Sequence, residues 1–142
     1  MIPDYNSPII TDGNFTWAEY CRLQMWAALA MPTTAQQASI IFLFGELQKI
    51  RAALGKPLAI SSGIRTDAYT QYLRNRGIPA ATRSAHNEGK AVDLKPPAGM
   101  TTAQLWDYCA KRWPGRMENL HATPGWVHLD TREWGSRKRF NP

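Results

Sequence analysis

Two of the chain's three histidines sit in short stretches that also carry carboxylates. The first stretch reads Ser84-Ala85-His86-Asn87-Glu88-Gly89-Lys90-Ala91-Val92-Asp93, and the second Gly125-Trp126-Val127-His128-Leu129-Asp130; the third histidine, His121, precedes His128 by seven positions. Two imidazoles and a carboxylate form a borderline-soft donor set that suits one zinc ion. A catalytic zinc keeps three protein ligands and leaves a fourth position to water, whose pKa falls toward ~7 on coordination. That chemistry is hydrolysis at neutral pH.

The spacing says how the ligands could meet. His128 and Asp130 are two apart on an apparent strand and so face the same way, with Val127 and Leu129 facing the core. Asp93 lies on the polar side of its own run, opposite Val92 and Leu94. His86 precedes that run, and Gly89 lets the backbone turn sharply between them. Two antiparallel neighbours would bring His86, Asp93 and His128 around one point. Asp130 is then placed to accept a ring N–H from a ligand histidine and fix its tautomer. Spacing alone leaves open that the histidines are satisfied polar residues and the aspartates turn or cap residues.

The elements that must hold these residues are readable in outline. Thr16-Trp17-Ala18-Glu19 is a capping-box pattern and predicts a helix from about Trp17 to Ala30, ended by Pro32. Thr34-Ala35-Gln36-Gln37 repeats the pattern before a longer helix to about Leu54, with Ile40, Ile41, Phe44, Leu47, Ile50, Ala53 and Leu54 on one broad face and Gly55 as its C-terminal stop. This helix is the expected brace of the fold. Leu58 to Ser62 reads as a strand, Asp67 to Arg76 as a helix closed by Gly77, and Lys90 to Lys95 as a strand ended by Pro96. Thr101 opens a helix reaching about Arg112, and Trp126 to Asp130 is the last strand. The expectation is a single α+β domain, residues 1–142, with a small antiparallel sheet flanked by helices and an irregular arm over 1–14.

Composition bounds the rest. The 142 residues are 44% hydrophobic and 20% charged, with six tryptophans and a net charge of +6, an ordinary globular balance. A basic chain is drawn to polyanions, but the charges are scattered rather than striped with stacking rings, so no nucleic-acid partner is expected. Arg137-Lys138-Arg139 reads as a solvated tail. Cys21 and Cys109 show no CxxC pattern and read as buried thiols. No apolar stretch reaches membrane-spanning length. No basic leader with an apolar core opens the chain, so synthesis in the cytoplasm without a signal peptide is expected. A monomer is expected.

The first stretch resembles the Ser-x-His-x-x-Gly-x-Ala-x-Asp signature of the zinc D-Ala-D-Ala carboxypeptidase family, which includes phage peptidoglycan endopeptidases and shares the Hedgehog/DD-peptidase fold. Ser62-Gly63-Ile64-Arg65-Thr66 is similar to that family's Ser-Gly-aromatic-Arg-Ser segment, with Ile64 in the aromatic's place, and Trp126-Val127-His128-Leu129-Asp130 to its closing strand. Phe15-Thr16-Trp17-Ala18-Glu19 is also similar to members of the group. The resemblance implies a Hedgehog/DD-peptidase-like fold, zinc ligands His86, Asp93 and His128, Asp130 and Ser84 as supporting neighbours, and Arg65 holding a substrate carbonyl or carboxylate. It implies hydrolysis of a peptide bond in a peptidoglycan stem peptide at the bacterial cell wall, by a phage-encoded or exported enzyme. Some members place a glutamate three residues before the last zinc histidine as general base; here that position is Gly125. His121 is the candidate to handle the proton instead, with Glu118 and Glu88 in reserve. The missing glutamate also supports an alternative, a catalytically silent wall-binding or structural module of the same fold.

Overall fold

The four α-helices among the described residues start where a threonine caps them. In the computed structural model, which describes residues 3–81 and 84–142, full capping boxes open α1 (Trp17–Cys21), α2 (Thr34–Leu54) and α4 (Thr102–Ala110). The helix α3 (Asp67–Asn75) is capped by Thr66 alone. The box before α2 uses Thr33 and Gln36, one residue earlier than the pattern suggests. Gly55 ends α2 at φ 69°, the left-handed conformation that glycine adopts without a Cβ penalty.

The helix expected to run to Ala30 stops at Cys21. Its next backbone partners are taken by distant groups. The Tyr20 carbonyl accepts from Ile64 N at 3.1 Å, the Cys21 carbonyl from Ala30 N at 2.8 Å, and Met25 N donates to the Tyr69 hydroxyl at 3.1 Å. Residues 22–29 instead form a short hairpin, β1 (Arg22–Leu23) against β2 (Ala28–Leu29), turning through Ala27 at φ 50°. Long-range bonds here override the local helical pattern.

The main sheet holds β3 (Ala59–Ser62), β4 (Ala91–Lys95), β5 (Arg116–Glu118), β6 (Val127–Asp130) and β7 (Arg139–Phe140), in the order β3-β4-β6-β5-β7. Its pairings are antiparallel except for β5 with β7, which is parallel. The fold is α+β, a small sheet with flanking helices, as expected. The strands β5 and β7 are additions to the sequence reading. The basic run is not wholly a solvated tail: Arg139 lies in β7, and its guanidinium donates to the carbonyls of Gly115, Ala110 and Trp113.

One cluster of buried side chains joins α2 to the sheet. Ile40, Leu43, Phe44, Leu47 and Ile50 of α2 are buried with Val92, Leu94, Val127 and Leu129. Ile41, expected on that face, is 46% exposed, since the stripe continues through Leu43 rather than widening. Burial of each such side chain is worth about 1.5–3 kcal/mol. Two glycines let the backbone close up around the future site. A Cβ on Gly63 would lie 2.0 Å from the Tyr20 carbonyl oxygen. Gly89 has φ 72°, and a Cβ there would press on Ile40 and the Gln36 carbonyl of α2. Cys21 and Cys109 are both buried and free, and burial pushes each thiol up to about 12.

Candidate metal centre

β4 and β6 pair with Asp93 directly opposite His128 and Ala91 opposite Asp130. Opposed residues point to the same face of a sheet, so the register alone sets the Asp93 carboxylate beside the His128 ring. Val92 and Leu129, opposed between them, face the core. His86 arrives from the turn before β4, held by Lys90 N donating to the Ala85 carbonyl and by Gln36 Nε2 of α2 donating to the Asn87 carbonyl at 2.9 Å.

His86, Asp93 and His128 are all buried, and one ligand atom from each lies within 4.8 Å of the others. His86 Nε2 stands 3.4 Å from Asp93 Oδ2, and His128 Nδ1 stands 2.9 Å from Asp93 Oδ1. Those separations bracket the edge of a zinc tetrahedron, about 3.3 Å for bonds of about 2.0–2.1 Å. The outer nitrogens are already occupied. His86 Nδ1 donates to the Gly63 carbonyl at 2.8 Å, and His128 Nε2 donates to Asp130 Oδ2 at 2.9 Å. Each ring therefore presents its remaining nitrogen to Asp93, in opposite tautomers. A carbonyl or carboxylate behind each histidine is how metal-ligating imidazoles are oriented.

The electrostatics also fit a cation. Glu118 Oε2 approaches His128 Nδ1 to 3.0 Å, so three carboxylates surround one ring. Burial works against charge on Asp93, but the His86 charge and hydrogen bonds from His128 and His86 outweigh it and hold the carboxyl below its usual range. Burial likewise disfavours a charged His128, yet hydrogen bonds to Asp130, Asp93 and Glu118 hold its pKa well above the ordinary histidine value. Asp130 is held down despite its burial, chiefly by its bond to His128. Without a metal, a proton on His128 answers the converging negative charge. A divalent ion answers it better and must displace that proton. The donor set therefore fits the zinc implied by the sequence.

The cluster forms the floor of a cleft of about 700 Å³. Ile78, Pro79 and Ala80 line it, as do Trp126 and Phe140, and Arg65 and Arg132 reach it as well. Arg65 stands on the His86 side, since its backbone N donates to the His86 carbonyl at 3.1 Å. Its Nη2 donates to Ser62 Oγ, while its buried Nε has no partner among the described residues.

Other expected residues lie elsewhere. His121 is exposed on the 3-10 turn Leu120–Ala122 and does not line the cleft, whereas Ala122 does. Neighbouring side chains on such a turn point about 120° apart, so only one of the two can face inward. Glu118, the reserve candidate, is the carboxylate brought to the cluster. Glu88 is exposed and pairs loosely with Lys90 at 3.9 Å. Ser84 lines the cleft, but its hydroxyl donates to Asn87 Oδ1 at 2.9 Å, tying the His86 turn rather than touching the cluster. Sequence reasoning missed the Gly63 carbonyl and Arg132, neither of which carries a local signal.

A buried imidazole-carboxylate-imidazole cluster in an open cleft, on this sheet, has the ligands and the access that a metal-dependent hydrolase needs. The Peptidase M15 family model matches residues 14–130. The chain belongs to the Peptidase M15 family and is a hydrolase. No curated protein matches it. The family is zinc-dependent, and its fold is the one described here.

Proposed function

We propose that the chain is a zinc peptidase that hydrolyses a peptide bond in bacterial peptidoglycan stem peptides, with one zinc ion, acting as a monomer. The observation that carries this reading is the convergence of His86 Nε2, Asp93 and His128 Nδ1 with both outer ring nitrogens already bonded. These three side chains would hold the ion. When bound, zinc supplies a Lewis acid for the scissile carbonyl and makes a water nucleophile available at neutral pH.

The chain's own residues do the rest. Glu118 is the group in position to take the proton from the attacking water and return it to the leaving amine. It would take the part that some members of the family give to a glutamate at the position of Gly125. Arg65, fixed against the His86 turn by its backbone N, lines the cleft and is the cation in position to meet the carbonyl oxygen as charge develops there. Asp130 and the Gly63 carbonyl keep the two rings turned inward. The apolar walls around Ile78 and Trp126 limit water beside the reacting bond. This activity places the enzyme at the bacterial cell wall, as a product of a phage or of an export route.

Gly125 favours a second reading, a wall-binding module without turnover. One experiment tests both. Purified peptidoglycan is digested with and without a chelator, and the muropeptides are weighed. The proposal expects a chelator-sensitive mass loss that names the bond. Wall binding with no new product would establish the silent module instead.

A further inference from the structure

We propose that Arg132 is a specificity residue that anchors a carboxylate of the substrate next to the scissile bond. This rests on the peptidase reading above and deepens it. Arg132 follows β6 two residues after Asp130 and lines the same cleft as the His86, Asp93 and His128 cluster. Its Nη2 donates to Asp130 Oδ2 at 3.2 Å, and its backbone N donates to Asp130 Oδ1 at 3.1 Å. That fixes one edge of the guanidinium. The group carries five N–H donors, so most of its capacity remains. Nε is buried and has no partner among the described residues, while the side chain as a whole is 30% exposed. The arginine is thus anchored through Asp130, and the exposed part of its side chain, not the buried Nε, is what a ligand can reach.

Asp130 does not cancel its charge. That carboxylate also accepts from His128 Nε2 at 2.9 Å and lies 3.8 Å from Arg116 Nε. Arg116 and Lys138 share Glu133, at 3.0 and 3.7 Å. A guanidinium fork matches a carboxylate in two parallel charge-assisted bonds. Arg65 stands on the His86 side of the cluster and Arg132 on the His128 side, so a substrate lying across the cleft meets a cation at each end. With Arg65 on the carbonyl, Arg132 is left for an anion. The carboxylate could be the peptide's own C-terminus or an acidic side chain beside the bond.

Three synthetic peptides distinguish these sources: acetyl-Lys-D-Ala-D-Ala, its C-terminal amide, and an amide with glutamate next to the scissile bond. Binding to the zinc-loaded protein is measured by calorimetry and turnover by product release, for wild type, Arg132→Gln and Arg132→Lys, with zinc content checked in each. A carboxylate peptide should bind wild type about 10- to 100-fold more tightly than the plain amide. Arg132→Gln should erase that preference with zinc retained, and Arg132→Lys should keep part of it. Preference for the free acid names a C-terminal carboxylate, and preference for the glutamate amide names a side chain. Wild type that does not distinguish the peptides, or an Arg132→Gln variant that keeps the preference or weakens all three equally, would overturn the proposal. Absence of turnover with the binding preference intact would sink the peptidase reading and leave the anchoring role standing.

Discussion

The centre and the edge of the sheet are built differently. β4 and β6 pair at four positions, have apolar residues on their core face, and carry Asp93 and His128 opposite each other. β5 pairs with β6 at two positions and has only Met117 as its buried apolar residue, yet it delivers Glu118. The first pair is set by its own alternation. The second depends on distant supports, including Arg139, whose guanidinium gathers carbonyls from residues 110, 113 and 115. The proposed metal ligands thus sit where local pattern is strong, and the proposed proton acceptor where it is weak.

The sharpest way to break that contrast is to remove a ligand. His86→Ala, Asp93→Ala and His128→Ala should each abolish zinc retention and hydrolysis together, as read by elemental analysis and wall digestion. A variant that loses zinc yet cleaves the wall at the wild-type rate would end the metal account. Next comes the edge. Glu118→Gln should cut turnover by about 10²- to 10⁴-fold with zinc still bound, and His121→Gln should change it little. The reverse pattern would return the proton to His121 and require the 3-10 turn to swing inward.

That pair of variants also marks what was legible in the sequence. The meeting of Asp93 and His128 was foreshadowed by strands long enough to show a period of two, and Gly89 punctuates the approach to β4, but it was the resemblance of the Ser84–Asp93 stretch to a known signature that singled out His86, Asp93 and His128 as candidate ligands. Glu118 was not readable beyond a reserve place. A three-residue strand shows no period, and nearness in sequence favoured His121 over a residue ten positions from His128. The first helix was overread for a related reason. Trp17 to Ala30 has helical composition, but Ile64, Ala30 and Tyr69 claim the backbone groups its second turn would need. The capping boxes were legible because they are wholly local, with an error of one residue at α2.

A smaller effect sharpens the centre. Asp130→Asn keeps the shape but weakens the hold on His128 Nε2, and should lower zinc affinity about 10- to 100-fold, measured by competition with a coloured chelator. Unchanged affinity would show that the register of β4 and β6 positions His128 unaided. The smallest effect concerns the core beneath both regions. Burial raises the Cys21 and Cys109 thiols to about 12, above their unfolded value of about 8.5. The folded chain therefore holds more protons than the unfolded chain at alkaline pH, and stability should fall as pH rises through that interval. Below the unfolded value, neither thiol should react with a disulfide reagent until denaturant is added. Rapid reaction of the native protein at pH 8 would mean that the core opens.

The central claim is that one zinc ion sits between β4, β6 and the turn before β4. Anomalous scattering at the zinc edge, from crystals grown with the metal, tests it directly. The account predicts a single strong peak bonded to His86 Nε2, Asp93 and His128 Nδ1 at about 2.0–2.2 Å. A peak elsewhere, or none while the three side chains keep these positions, would contradict it.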